Sequence, residues 1–164
     1  MKIKVKRIIF AILIIINCII IFNFSSQNSE KSNETSGVIV NQVVDSIGKV
    51  NKKVKKETLK DQVSFFVRKL AHFSIYTLLG IFLMNEANTF EITKKRKIII
   101  CILFGALYAI SDEFHQGFVG GRSPEIRDVC IDTCGVIFGI ILVMIAGKLI
   151  SKIKEPKKLP AVSE

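Results

Sequence analysis

No stretch of this 164-residue chain alternates apolar and polar residues over the roughly 10 residues of a membrane-spanning strand. That excludes a closed transmembrane barrel and leaves helices as the way to bury its apolar runs. Zinc-finger spacing, a basic region and basic strands studded with aromatics are also missing, so the formal net charge of +10 does not point to nucleic acid. There is no H-E-x-x-H pattern, no phosphate-binding glycine loop ahead of a helix and no nucleophile elbow, so no motif names a reaction. Histidine occurs only at positions 72 and 115. The four cysteines, Cys18, Cys101, Cys130 and Cys134, all fall in apolar segments. Cys130 and Cys134 are one helical turn apart and misdirected for a disulfide, so all four read as small buried hydrophobes. No cofactor or metal is expected.

What the chain does have is apolar residue in blocks. Hydrophobic residues make up 49% of it, the mean hydropathy is +0.42, and the charges are pushed between the blocks. This is the membrane pattern, and lysines and arginines beside the blocks would meet anionic lipid head groups. Four spans are predicted at about residues 8–24, 65–84, 98–114 and 129–147, each near the ~20 residues that cross a bilayer. The first follows Lys2, Lys4, Lys6 and Arg7 as a signal peptide would, but it runs into FNFSSQ, with Phe22 and Phe24 where small residues would be needed for cleavage. It is read as an uncleaved span. Residues 25–36 are a polar linker. Ile39, Val43, Ile47, Val50 and Val54 then recur at helical spacing, predicting an amphipathic surface helix in the first external loop.

With four spans, both termini fall on one side of the membrane. The N-terminus, the 94–97 KKRK run and the C-terminal segment from Lys148 onward hold thirteen basic residues against nine in the two opposite loops, which predicts cytoplasmic termini. The first external loop carries seven of those nine and weakens the asymmetry.

The remaining charges concentrate at one end of the predicted bundle. Arg68, Lys69 and His72 open the second span, Asp112, Glu113, His115 and Gln116 close the third, and Asp128 and Asp132 open the fourth. Charge at the edge of hydrocarbon is costly unless paired or wet, so these groups are expected to converge. At about 100° per residue, Asp128, Asp132, Gly135 and Gly139 share an arc of about 60°, placing a small-xxx-small contact beneath two carboxylates. Tyr108, Asp112, His115 and Gln116 share an arc of about 100° on the third span. Arg122 sits in the glycine turn between the last two spans, at the lip of this polar cup, and a guanidinium there suits carboxylate or phosphate. Asp128, Asp132, Asp112 and His115 could together offer oxygen and nitrogen to a divalent ion, but no specific motif supports it. Three readings stay open: a recess for a lipid-linked or lipophilic ligand, a small membrane enzyme with a histidine base, and a set of ion pairs that only locks helices.

The segments FNFSSQNSEKSNETS, FFVRKLAHFSIYTLLG and AISDEFHQGFVGGRSPEIRDVCIDTCGVIFG, in the order of four hydrophobic runs, resemble the VanZ-like family, named after an accessory teicoplanin-resistance membrane protein. The resemblance covers residues 8 to 147 and implies a transmembrane domain over 1–150 with a basic cytoplasmic tail at 151–164. The fold it implies is all-α, with four transmembrane helices in an up-and-down bundle. Family positions fall on Arg68, Lys69, His72, Tyr76, Asp112, Glu113, His115, Gln116, Arg122, Asp128, Asp132 and Gly135. Gly120 stands where the family pattern has proline, which loosens the loop carrying Arg122. The implied role is in the cell envelope: binding or shielding a lipid-linked cell-wall precursor or a lipoglycopeptide at the outer face, and so lowering sensitivity to teicoplanin-type glycopeptides. The resemblance names no catalytic residue.

Overall fold

The computed structural model describes residues 2–26, 37, 40–46, 56–119 and 124–154. Five helical segments are present among them, and no strand: α1 (Ile3–Ser25), a short α2 (40–46), α3 (Lys56–Ala87), α4 (Lys94–Gln116) and α5 (Ile126–Lys154). All but α2 are long and apolar enough to cross a membrane. They form the expected bundle, with α3 at its centre in contact with α1, α4 and α5.

Every long helix overruns its predicted span. The apolar window marks the hydrocarbon-soluble part, whereas helix formation continues through any residues that tolerate it. Helix α3 begins at Lys56, with Glu57 favourably placed in its first turn. At 32 residues it is about 48 Å long, so its polar start lies beyond a ~30 Å hydrocarbon layer. Helix α4 starts on an N-cap, Thr93, whose hydroxyl accepts from the Arg96 N–H at 3.4 Å, and it carries the DEFH segment within its last turns. Helix α5 continues through Lys154, so the first four residues of the predicted tail are helical.

The core is built from Tyr76, Leu79, Leu83 and Met84 of α3, Cys101 and Ala109 of α4, Val136 and Ile140 of α5, and Ile21 of α1. Its tightest part is the α3–α5 seam. A Cβ on Gly135 would fall 2.6 Å from the Phe73 carbonyl oxygen, and one on Gly139 would collide with the Thr77 carbonyl. From the other side, a Cβ on Gly80 would strike the Val136 backbone. Without lipid-excluding hydrophobic force between spans, such backbone-to-backbone approach supplies the packing energy. The glycine arc read on the fourth span therefore has α3 as its neighbour.

Helix α1 is more loosely held. Ile8, Ile12, Ile15, Ile16 and Ile19 are exposed, as lipid-facing residues are, and only Asn17, Ile21 and Ser25 are buried on one stripe. Its start is tied down by Arg7, which donates to the Thr89 hydroxyl and carbonyl at 3.2 and 3.0 Å and lies 4.0 Å over the Phe90 ring. The N-terminus of α1, the α3–α4 turn and the last turns of α5 consequently share one end of the bundle. Lys94, Lys97 and Lys148 line a common recess there.

Two expectations change. In α2, Val40 and Val44 are buried while Val43 is exposed, so the inward face is offset by one residue from the predicted Ile39–Val43 line. Ile39, Ile47, Val50 and Val54 lie outside the described residues. Of the cysteines, only Cys101 is buried; Cys18 is half-buried, and Cys130 and Cys134 are exposed on the outward side of α5. In a membrane span an apolar exposed position is a lipid contact, so periodicity and not hydrophobicity decides which residues reach the core.

Candidate functional site

The opposite end of the bundle gathers the charged groups, and the i,i+4 rule explains which. His72 and Tyr76 stand one above the other on α3, Asp112 and Gln116 on α4, and Asp128 and Asp132 on α5. Ser25, at the last turn of α1, is fully buried at the same end. Lys69 donates to Asp128 Oδ2, with both side chains about one-fifth exposed. One turn deeper, His72 Nδ1 is 3.8 Å from Asp132 Oδ1, a close ion-pair distance but too long for a hydrogen bond. Asp112 Oδ2 accepts from Gln116 Nε2 at 3.3 Å.

Beneath this rim the polar side chains are deeply buried. Tyr76 is 0% exposed, Asp132 2% and Asp112 4%. Asp112 Oδ1, Asp128 Oδ1, Asp132 Oδ1, the Tyr76 hydroxyl and Ser25 Oγ are all buried without a well-formed hydrogen bond, although Ser25 and Tyr76 face the Asp112 carboxylate. Buried polar atoms are nearly always paired, so several loosely paired ones in one place are the feature of this end that needs explaining. Donor atoms of His72, Asp112 and Asp132, one from each of three helices, lie within 4.8 Å of one another. These three are the described residues that could hold a metal ion together.

Seven sequence-predicted residues thus share one cluster: Lys69, His72, Tyr76, Asp112, Gln116, Asp128 and Asp132. Two others, His115 and Tyr108, face α1 instead. His115 turns to α1, stacking on Phe22 with ring centroids 4.5 Å apart and meeting Ser26 Oγ at 3.2 Å through Nε2. Tyr108 does the same, donating to the Cys18 carbonyl at 2.7 Å. The 100° arc on the third span faces two neighbours: its Asp112 edge meets α3 and α5, and its His115 edge meets α1. Glu113 is buried but accepts the Glu125 N–H at 2.5 Å, fastening the approach to α5. Arg68 is half-buried on α3 and engaged with a neighbour. Arg122 lies outside the described residues, and Arg127, in the first turn of α5, has a side chain 61% exposed and pairs with Glu125.

Sequence reasoning missed Ser25. Its signal was present: Asn17, Ile21 and Ser25 repeat at four-residue spacing, so two of the few polar residues in the apolar part of the helix share a face.

A family model described as VanZ/LLP1 matches residues 10–147, from the second turn of α1 to the later part of α5. Comparison with curated proteins and with solved structures gives no match. The four apolar helices and the extent of the family match agree: the chain belongs to the VanZ-like family of membrane proteins.

Proposed function

We propose that this chain is a cell-envelope membrane protein that binds or shields a lipid-linked or lipophilic ligand at the outer membrane face, and thereby lowers sensitivity to teicoplanin-type glycopeptides. The observation carrying this reading is the set of buried oxygens without a well-formed hydrogen bond under an accessible rim of His72, Lys69 and Asp128. A lock made only of ion pairs would have its polar atoms satisfied internally; a recess that takes a polar head group leaves them for the ligand. Phe65, Phe66 and Phe114 are exposed at this end and offer apolar surface to a lipid tail. A lipid-linked cell-wall precursor and a lipid-tailed glycopeptide both combine these two chemistries.

The test compares cells producing the chain with cells producing His72→Ala at equal membrane levels. Protection against a lipid-tailed glycopeptide is expected to disappear in the variant. Loss of one charge-assisted hydrogen bond, about 1.5–3 kcal/mol, weakens binding about tenfold or more. Glycopeptides without the tail should show no difference between the two. Unchanged protection by His72→Ala, or equal protection against tailed and untailed drugs, would count against the reading.

One observation favours a second reading. An imidazole facing a buried carboxylate, as His72 faces Asp132, is the arrangement in which the acid orients a general base. The chain would then be a small membrane enzyme acting on a lipid phosphate or cell-wall lipid. Turnover of a defined lipid by purified protein, lost in His72→Ala, separates the two.

The outer-face assignment follows from lysine and arginine placement and has its own check. In a cysteine-free background, an impermeant reagent is expected to label a cysteine at Gly121 and not one at Lys95. The reverse pattern would put the cluster at the cytoplasmic face.

A further inference from the structure

We propose that His72, Asp112 and Asp132 bind a single first-row divalent transition-metal ion, Zn²⁺ or Mn²⁺, an inference that rests on reading this cluster as a ligand site. One nitrogen and two carboxylate donors come from α3, α4 and α5 and lie within 4.8 Å of one another. Donors on a tetrahedral ion with bonds of about 2.0 Å stand about 3.3 Å apart, so side-chain torsions are enough to close the set. A second observation points the same way. Asp112 Oδ1 and Asp132 Oδ1 are buried without a well-formed hydrogen bond, and the buried Tyr76 hydroxyl faces the Asp112 carboxylate without forming one either. Asp132 Oδ1 meets only the His72 imidazole, at 3.8 Å, and Asp112 forms no ion pair among the described residues, so a cation would give both buried carboxylates a close positive partner.

The donor chemistry selects the ion. Imidazole favours zinc and its transition-metal neighbours, whereas an oxygen-only set would favour Mg²⁺ or Ca²⁺. Around the donors, Gln116 bonds Asp112 from within α4, orienting its carboxylate as groups behind metal ligands do. Three protein ligands leave at least one coordination position, and a phosphate or carboxylate oxygen of a ligand head group is the chemistry that fills it. Sequence spacing pointed to His115 as the nitrogen donor; its stacking on Phe22 excludes it and His72 takes the role.

The full chain, purified in detergent and stripped with EDTA, is to be loaded with Zn²⁺ or Mn²⁺, passed through a desalting column and assayed for bound metal. Co²⁺ loading adds a visible absorption spectrum that reports N/O coordination. One ion per chain is expected, with affinity about tenfold or more weaker in His72→Ala, Asp112→Asn and Asp132→Asn, and unchanged in His115→Ala. The asparagine variants keep side-chain volume, and circular dichroism establishes that each variant is helical before loading. No retained metal in the wild type overturns the proposal, as does equal uptake by helical Asp132→Asn. The outcome is distinguishable from that of the functional reading. A metal-free wild type that still protects cells through His72 sinks the ion and keeps the ligand site, and a metal-binding wild type whose protection survives His72→Ala does the opposite.

Discussion

Gly139→Leu is expected to unfold the bundle or strip α5 from α3. The first carbon of any side chain there meets the Thr77 carbonyl and the Ile81 N–H of α3, both backbone atoms that cannot rotate away. Relief requires the helices to separate along the whole seam, which also carries Gly135 and Gly80. The expected cost is about 3 kcal/mol or more, at the upper end of overpacking effects. Gly147→Leu is the control: it lies on the same helix, and nothing stands within 4 Å of its added carbon, so its effect should stay within about 0.5 kcal/mol. Both are read by thermal unfolding in detergent and by protease resistance in membranes. Equal behaviour of the two variants would mean that α3 and α5 do not meet at this register.

Asp132→Asn should separate stability from function. The carboxylate is 2% exposed, has an oxygen without a well-formed hydrogen bond, and faces His72 at a distance too long for one. A buried charge with so little return costs stability, so an amide of the same size is expected to leave the metal-stripped protein as stable as the wild type or about 1 kcal/mol more stable. Glycopeptide protection is nevertheless expected to be lost. Groups kept at a cost in stability are those that function requires. If Asp132→Asn lowers thermal stability and leaves protection intact, the cluster is a helix lock.

The membrane architecture was legible because blocked hydrophobicity is a strong signal, and the glycine arc on the fourth span because small residues at i,i+4 have few other uses. The polar cluster was legible in part. Its level in the bundle followed from three charged helix ends lying on one side. Which residues meet did not follow, because a helical wheel gives direction without neighbours. His115 and Asp112 lie close on the wheel of α4, yet one faces α1 and the other faces α3 and α5. Glu113, expected among the converging charges, accepts a backbone N–H from the approach to the next helix. The cysteines misled for a related reason, since in lipid an apolar residue has no need of the core.

The way α1 is attached has an evolutionary consequence. Tyr108 bonds the Cys18 carbonyl, and Arg7 reaches from α1 to Thr89 and Phe90 on the α3–α4 turn. The Tyr108 bond takes a carbonyl that any residue at position 18 would supply, and neither contact depends on the isoleucines at 8, 12, 15, 16 and 19, which are exposed. Those positions are free to drift among apolar residues from one lineage to the next, whereas Gly135 and Gly139 have no substitute. Divergence among relatives is expected to collect on the outer surface of α1, leaving the α3–α5 seam as the slowest-changing part of the chain.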